Sequence, residues 1–169
     1  MKATIVLLVM ISFIFGQEKI GYVDMTKIEQ GYSEMSKYKT ESEKLIKKYE
    51  DRMKKLRDEY VQMGQNFQSQ RLLLTQSKQE EKMREIQLKE QEIARFQQEK
   101  LVAPAGEMHR KLNELQKPYL DKILAAIKSV AKDKGIDLML NNAQGIVLHT
   151  SDKIDYSKEV IDHLNKKKN

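Results

Sequence analysis

Residues 38–67, YKTESEKLIKKYEDRMKKLRDEYVQMGQNF, place their apolar side chains at Tyr38, Leu45, Tyr49, Met53, Leu56, Tyr60, Met63 and Phe67, with spacings of seven, four, four, three, four, three and four. That pattern is close to the 3.5-residue repeat of a coiled-coil seam. A second series follows at Met83, Ile86, Ile93, Phe96 and Leu101, then at Met108, Leu112, Leu115 and Tyr119. Two seams of similar length in series predict an antiparallel helical hairpin within an almost continuously helical run over residues 25–134. Residues 65–79 between them are rich in Gln and Ser, are interrupted by Leu72, Leu73 and Leu74, and contain no Pro or later Gly to mark a tight turn. The tip is expected near Thr75 to Lys78. At 1.5 Å per residue, residues 35–74 would span roughly 60 Å, with a narrow stripe of contact and no broad core.

Tyr and Met stand in this seam where a rigid coiled coil would carry Leu and Ile, and both adapt to irregular neighbours. Packing between the two helices is one role for them. Direct contact with a bound chain is the other, with Tyr49, Met53, Tyr60, Met63, Phe67, Met83 and Phe96 as the candidate contacts. Pro104 and Gly106 interrupt the returning segment. A proline inside a helix removes a backbone hydrogen bond and clashes with the preceding turn, so the pair is a candidate hinge, with a fixed bend as the alternative.

Short apolar segments flank the hairpin: residues 20–23, 136–140 and 146–149. The last two are separated by Asn141, Asn142, Ala143, Gln144 and Gly145, which is hairpin-turn chemistry. A closing helix over residues 157–166 carries Val160, Ile161 and Leu164 on one face, and Asp155 or Ser157 can cap its start. The expected fold class is therefore α+β, a long helical hairpin arm on a small β-sheet base. Three short strands make too small a core to stand alone, which implies an obligate oligomer. The expected organisation is residues 1–16 as a signal peptide, 17–37 as the first part of the base, 38–117 as the arm and 118–169 as the second part of the base.

The signal-peptide reading rests on Lys2 followed by an apolar run over residues 5–15 broken only by Ser12. That run is short of the 20 or so apolar residues a bilayer span needs. Cleavage after Gly16 and export are expected; an uncleaved N-terminal anchor is the alternative. The chain contains no Cys, which excludes a disulfide framework, a thiolate metal site and a lipoprotein anchor. Its formal charge is +6 and its pI is about 9.3, which steers encounters with acidic partners. Along residues 39–100 the signs are interleaved, a solvated-face pattern. The dense basic runs, residues 54–57 and 166–168, have no interleaved aromatics of the kind that bind nucleic acid.

No Walker loop, GxSxG or HExxH occurs, and His109, His149 and His163 have no metal-ligand spacing. The sequence thus calls for no catalytic residue, no metal and no cofactor, and for a binding cycle without nucleotide hydrolysis.

The order of these parts resembles the Skp/OmpH family of periplasmic chaperones of Gram-negative bacteria. The resemblance is carried by Lys19-Ile20-Gly21-Tyr22-Val23-Asp24-Met25, the hairpin, residues 127–140 (IKSVAKDKGIDLML), Ser151-Asp152 and the final residues 155–164. It implies a homotrimer whose strands form a shared barrel, with three arms around a cavity. It also implies ATP-independent holding of unfolded outer-membrane proteins in the periplasm. A transient contact with the membrane surface is a further expected partner, and export with mixed charges argues against nucleic acid as one. The break at Pro104 and Gly106 and a tip richer in Gln than in Lys and Arg depart from the family pattern. A non-catalytic coiled-coil scaffold of the cell envelope is the alternative of a different class.

Overall fold

The computed structural model describes residues 18–142 and 149–166. The expected signal peptide lies outside the described residues, as does most of the expected strand at 146–149 with its turn. In chain order the elements are β1 (Ile20–Val23), α1 (Met25–Gly31), α2 (Met35–Gln70), a 3-10 turn (Arg71–Leu73), α3 (Gln76–Phe96), a π turn (Gln97–Leu101), α4 (Glu107–Lys134), β2 (Leu138–Asn141), a second 3-10 turn (Asp152–Ile154) and α5 (Ser157–Lys166). Contacts divide these into two compact units. One takes the described residues up to Met35 with those from Leu120 on; the other is Ser36–Tyr119.

The first unit is built on β1. Its strand pairs in parallel with β2, Ile20 against Leu138 and Tyr22 against Leu140. Parallel neighbours cannot be joined by a tight turn, and here everything from α1 to α4 lies between the two strands. On its other edge β1 meets a single bridge to Asp155, reinforced by Tyr156 N donating to Tyr22 O at 2.9 Å. Among the described residues the sheet is thus two-stranded, smaller than the three segments in the sequence suggest.

Burial in this unit follows the apolar spacing. Ile28 of α1, Ile123, Ala126 and Val130 of α4, and Val160 of α5 close over Tyr22 and Val23, with Tyr32, Ile136 and Tyr156 at the margins. The start of α1 is capped by Asp24, whose carboxylate accepts from the N–H groups of Thr26 and Lys27. The expected cap of α5 takes the form of a small network: Asp155 Oδ1 accepts from Ser157 N, and Ser157 Oγ accepts from Asp24 N at 2.8 Å. One capping residue thereby ties the last helix to the end of the first strand. At the end of α4, Gly135 turns left-handed (φ +62°), and Ile136 N reaches back to Ala131 O at 2.8 Å. That closure is the αL helix stop, which glycine alone makes without strain.

Candidate functional site

The second unit is the hairpin. Its helices run antiparallel: Arg52 pairs with Glu92 at 3.2 Å, Lys89 with Glu59 at 3.0 Å, and the rings of Tyr49 and Phe96 lie 6.3 Å apart. Tyr49, Met53 and Leu56 of α2 form its buried centre, and Leu56 is fully enclosed. α3 contributes no fully buried residue. The seam is therefore dry beside residues 49–56 and thins toward the tip, where Tyr60, Met63 and Phe67 are half-buried.

The turn lies earlier than the sequence suggests. Arg71–Leu73 forms the 3-10 turn, Leu74 and Thr75 are extended, and α3 has already begun at Gln76. With neither Gly nor Pro available, the reversal is held by Gln79, whose side-chain amide donates to the carbonyls of Arg71 and Leu74 at 2.9 and 3.1 Å. The Arg71 carbonyl also accepts from Leu74 N at 3.4 Å, so Gln79 adds a second bond to the turn's own closure.

The break in the return is also different in kind from the expected kink. Pro104 does not sit inside a helix. The chain widens into a π turn with Val102 N bonded to Gln97 O at 3.1 Å, leaves helical geometry, and resumes at Glu107; the Ala103–Pro104 peptide is cis. Tyr49 touches both Phe96, before the break, and Glu107, after it. Residues 97–106 are therefore looped out, adding sequence to the return without advancing it along α2. Beyond the loop the pairing continues, with the Tyr38 and Tyr119 rings 5.5 Å apart.

Two devices close this loop. Gly106 N donates to Val102 O at 2.7 Å, and a Cβ on Gly106 would lie 2.8 Å from that oxygen, so the closure needs glycine. Glu107 accepts from Tyr49 Oη at 3.0 Å and from Lys111 Nζ at 2.6 Å, and also from Lys100. The Lys100 ammonium, then Lys111 and the Tyr49 hydroxyl, hold its carboxyl down to about 2. Glu107 thus joins the π turn, α4 and the seam through a single carboxylate.

Of the candidate contact residues, Tyr49 and Met53 are buried, Tyr60, Met63, Phe67 and Phe96 half-buried, and Met83 stands 59% exposed. They share the hairpin but form no single open face. Sequence periodicity passed over the residues that are most available. Leu72 and Leu73 on the turn are 97% and 86% exposed, and Val61 and Leu88 are more than half exposed. The signal that could have found the first two was present, since an apolar run in a polar, turn-forming stretch has no packing reason.

In the first unit, a cleft of about 480 Å³ is lined by Tyr32, Glu34, Lys122, Ser129, His163 and Leu164. Glu34 accepts from Tyr32 Oη and Lys122 Nζ, both at 2.7 Å. Burial, then the bond to Glu34, pushes the Tyr32 phenol up to about 12. Tyr32, Glu34 and Lys122 thus form one hydrogen-bonded polar cluster in the cleft. Among the described residues no group of three or more His, Asp or Glu could hold a metal ion, and no helix is long and apolar enough to cross a membrane.

The architecture defines a class of helical-hairpin proteins, two long antiparallel helices in one unit and a small two-stranded sheet with short helices in the other, among the described residues. The chain belongs to the OmpH-like outer membrane protein family, whose model matches residues 19–164. Its fold is also similar to the crystal structure of a proposed OmpH-like outer membrane chaperone from Caulobacter crescentus CB15. The TM-score is 0.74 at 10% identity, covering 90% of this chain and 86% of that one. No curated protein sequence matches the chain.

Proposed function

We propose that this protein is an ATP-independent holding chaperone of the periplasm, which binds unfolded outer-membrane proteins between helical arms and keeps them from aggregating. The observation that carries the proposal is the exposure of large apolar side chains along a hairpin that belongs to this family: Leu72, Leu73, Val61, Met83 and Leu88. A protein that only spaced other proteins would gain nothing from solvating them. Many weak apolar contacts suit a client that must later be released. Tyr60, Met63, Phe67 and Phe96 join these contacts from the half-buried seam, whereas Tyr49 and Met53 reach a client only where the seam opens. Pro104 and Gly106, within the looped-out segment, are the place at which the arm would bend.

The proposal includes a homotrimer in which residues 17–37 and 118–169 supply a shared barrel and residues 38–117 the arm. Its support is the apolar edge of the small sheet: Ile20 and its register partner Leu138 are 46% and 48% exposed, with Leu140 beside them. Light scattering coupled to size exclusion tests both parts on residues 17–169, with a urea-unfolded outer-membrane barrel protein diluted into the sample. A trimer that carries the client in a soluble complex is expected. An oligomer that leaves the client to aggregate would favour the envelope scaffold, and a monomer would overturn the shared barrel.

A further inference from the structure

Gly64 lies inside α2, more than a full turn from its end at Gln70, where glycine is the least favourable residue after proline, and nothing in the packing asks for it. A Cβ built there meets no atom within 4 Å. Every other described glycine has a local reason. A Cβ on Gly21 would strike the Tyr156 ring at 2.7 Å, one on Gly31 would strike Ile161 at 2.7 Å, one on Gly106 would strike Val102 O, and Gly135 is left-handed. At Gly64 the helix gives up stability for open space.

That space is a groove. A hollow of about 690 Å³ beside Tyr60, Val61 and Gln65 meets one of about 310 Å³ beside Phe67, Met83 and Gln87. Gly64, Gln68 and Ile86 line both, so Gly64 is the floor at which they join. Its walls are apolar and solvated, with Val61 and Met83 each more than half exposed. Although the whole chain carries +6, the residues around both hollows include one charge, that of Glu90.

This charge pattern selects the occupant. A lipid headgroup or an acidic peptide would find no cation in the groove. The glutamines offer both amide donors and carbonyl acceptors, which match the N–H and C=O groups of an extended backbone. A helix from a second copy would arrive with its backbone bonds already made and would leave those amides unused. We infer that the Gly64 groove seats an extended, uncharged segment of an unfolded client, taking its main chain against Gln65, Gln68 and Gln87 and its apolar side chains against Val61, Ile86 and Met83. The inference rests on the holding-chaperone reading and names one surface within it.

The test is Gly64→Leu, which fills the floor with a residue that helices favour. Gln62→Leu, outside the groove, controls for added apolar surface. Binding of a urea-unfolded outer-membrane barrel protein is measured by fluorescence anisotropy, with the oligomeric state and thermal midpoint of each variant. The expected result is a Gly64→Leu protein of unchanged oligomeric state and equal or higher midpoint that binds the client about tenfold more weakly, roughly the scale of one lost apolar anchor, while Gln62→Leu binds as wild type. Equal binding by Gly64→Leu would overturn the groove and leave the chaperone reading standing; failure of the wild type to bind would remove both.

Should Gly64→Leu not assemble, a second measurement decides. The chain has no cysteine, so Gln68→Cys takes an environment-sensitive fluorophore at one position. A blue shift on client addition supports the groove. No shift in a formed complex, or a shift on concentrating the protein alone, overturns it.

Discussion

Glu107 gathers three polar partners in the hairpin, Tyr49, Lys100 and Lys111. Its carboxyl titrates near 2 in the folded protein against an ordinary 4.5, first because of Lys100 and then because of Lys111 and Tyr49. A depressed folded value means that the contribution is fully present above pH 4.5 and is lost as the pH falls toward 2. Urea denaturation from pH 7 down to 2.5 is therefore expected to show a midpoint that declines below about 4.5. Glu107→Gln should lower the midpoint at neutral pH and flatten that decline. Beside it, Gly106→Ala forces a methyl group against Val102 O and should cost about 2 kcal/mol in the same assay, the scale of an overpacked site. The motive for Pro104 and Gly106 as a hinge was the proline; the geometric constraint lies in the glycine, whose neighbour in space is a backbone oxygen that no spacing rule identifies.

At the scale of the element, the seam shows how far periodicity reaches. Each member of the first apolar series, from Tyr38 to Phe67, is buried or half-buried, and in the second series Met83 alone is exposed. The closing helix begins at Ser157, where the capping pattern places it. What periodicity lacks is depth, because a repeat marks a face without saying how closely a partner approaches it. Leu56 is fully enclosed while Phe67, on the same stripe, is not. The looped-out residues 97–106 were hidden for a related reason: Phe96 and Glu107 stand three helical turns apart in sequence, so the apolar phase continues across the break as if the helix did. Depth can be measured. Leu56→Ala should cost about 3 kcal/mol, as for a buried leucine, whereas Leu72→Ala, at a fully solvated position, should leave the denaturation midpoint within about 0.5 kcal/mol of wild type.

For the whole molecule, the decisive question is how the short parallel pair β1–β2 persists. An isolated pair of four-residue strands is marginal in water, and this one leaves Ile20 and Leu138 side by side and about half exposed. Among the described residues, β1 is supported on one edge by β2 and on the other by the single bridge at Asp155, so the backbone pairing they supply is short. Covering the apolar edge with the same surface from other copies would remove it from water, and the proposed barrel does that. The consequence is a test that separates assembly from folding. Ile20→Lys with Leu138→Glu would place charge on each copy's apolar patch, which association would have to desolvate, while leaving opposite charges paired across the two strands within the chain. The double variant should run as a monomer by light scattering at concentrations where the wild type is a trimer. Its hairpin unit, whose buried large side chains among the described residues are Tyr49, Met53 and Leu56, lies outside the substituted sheet, so the helical circular dichroism should be largely retained. Client holding should fall with the loss of assembly if the cavity is made by several arms together. If the monomer held clients as well as the trimer does, a single hairpin would be the binding unit and the barrel only a tether.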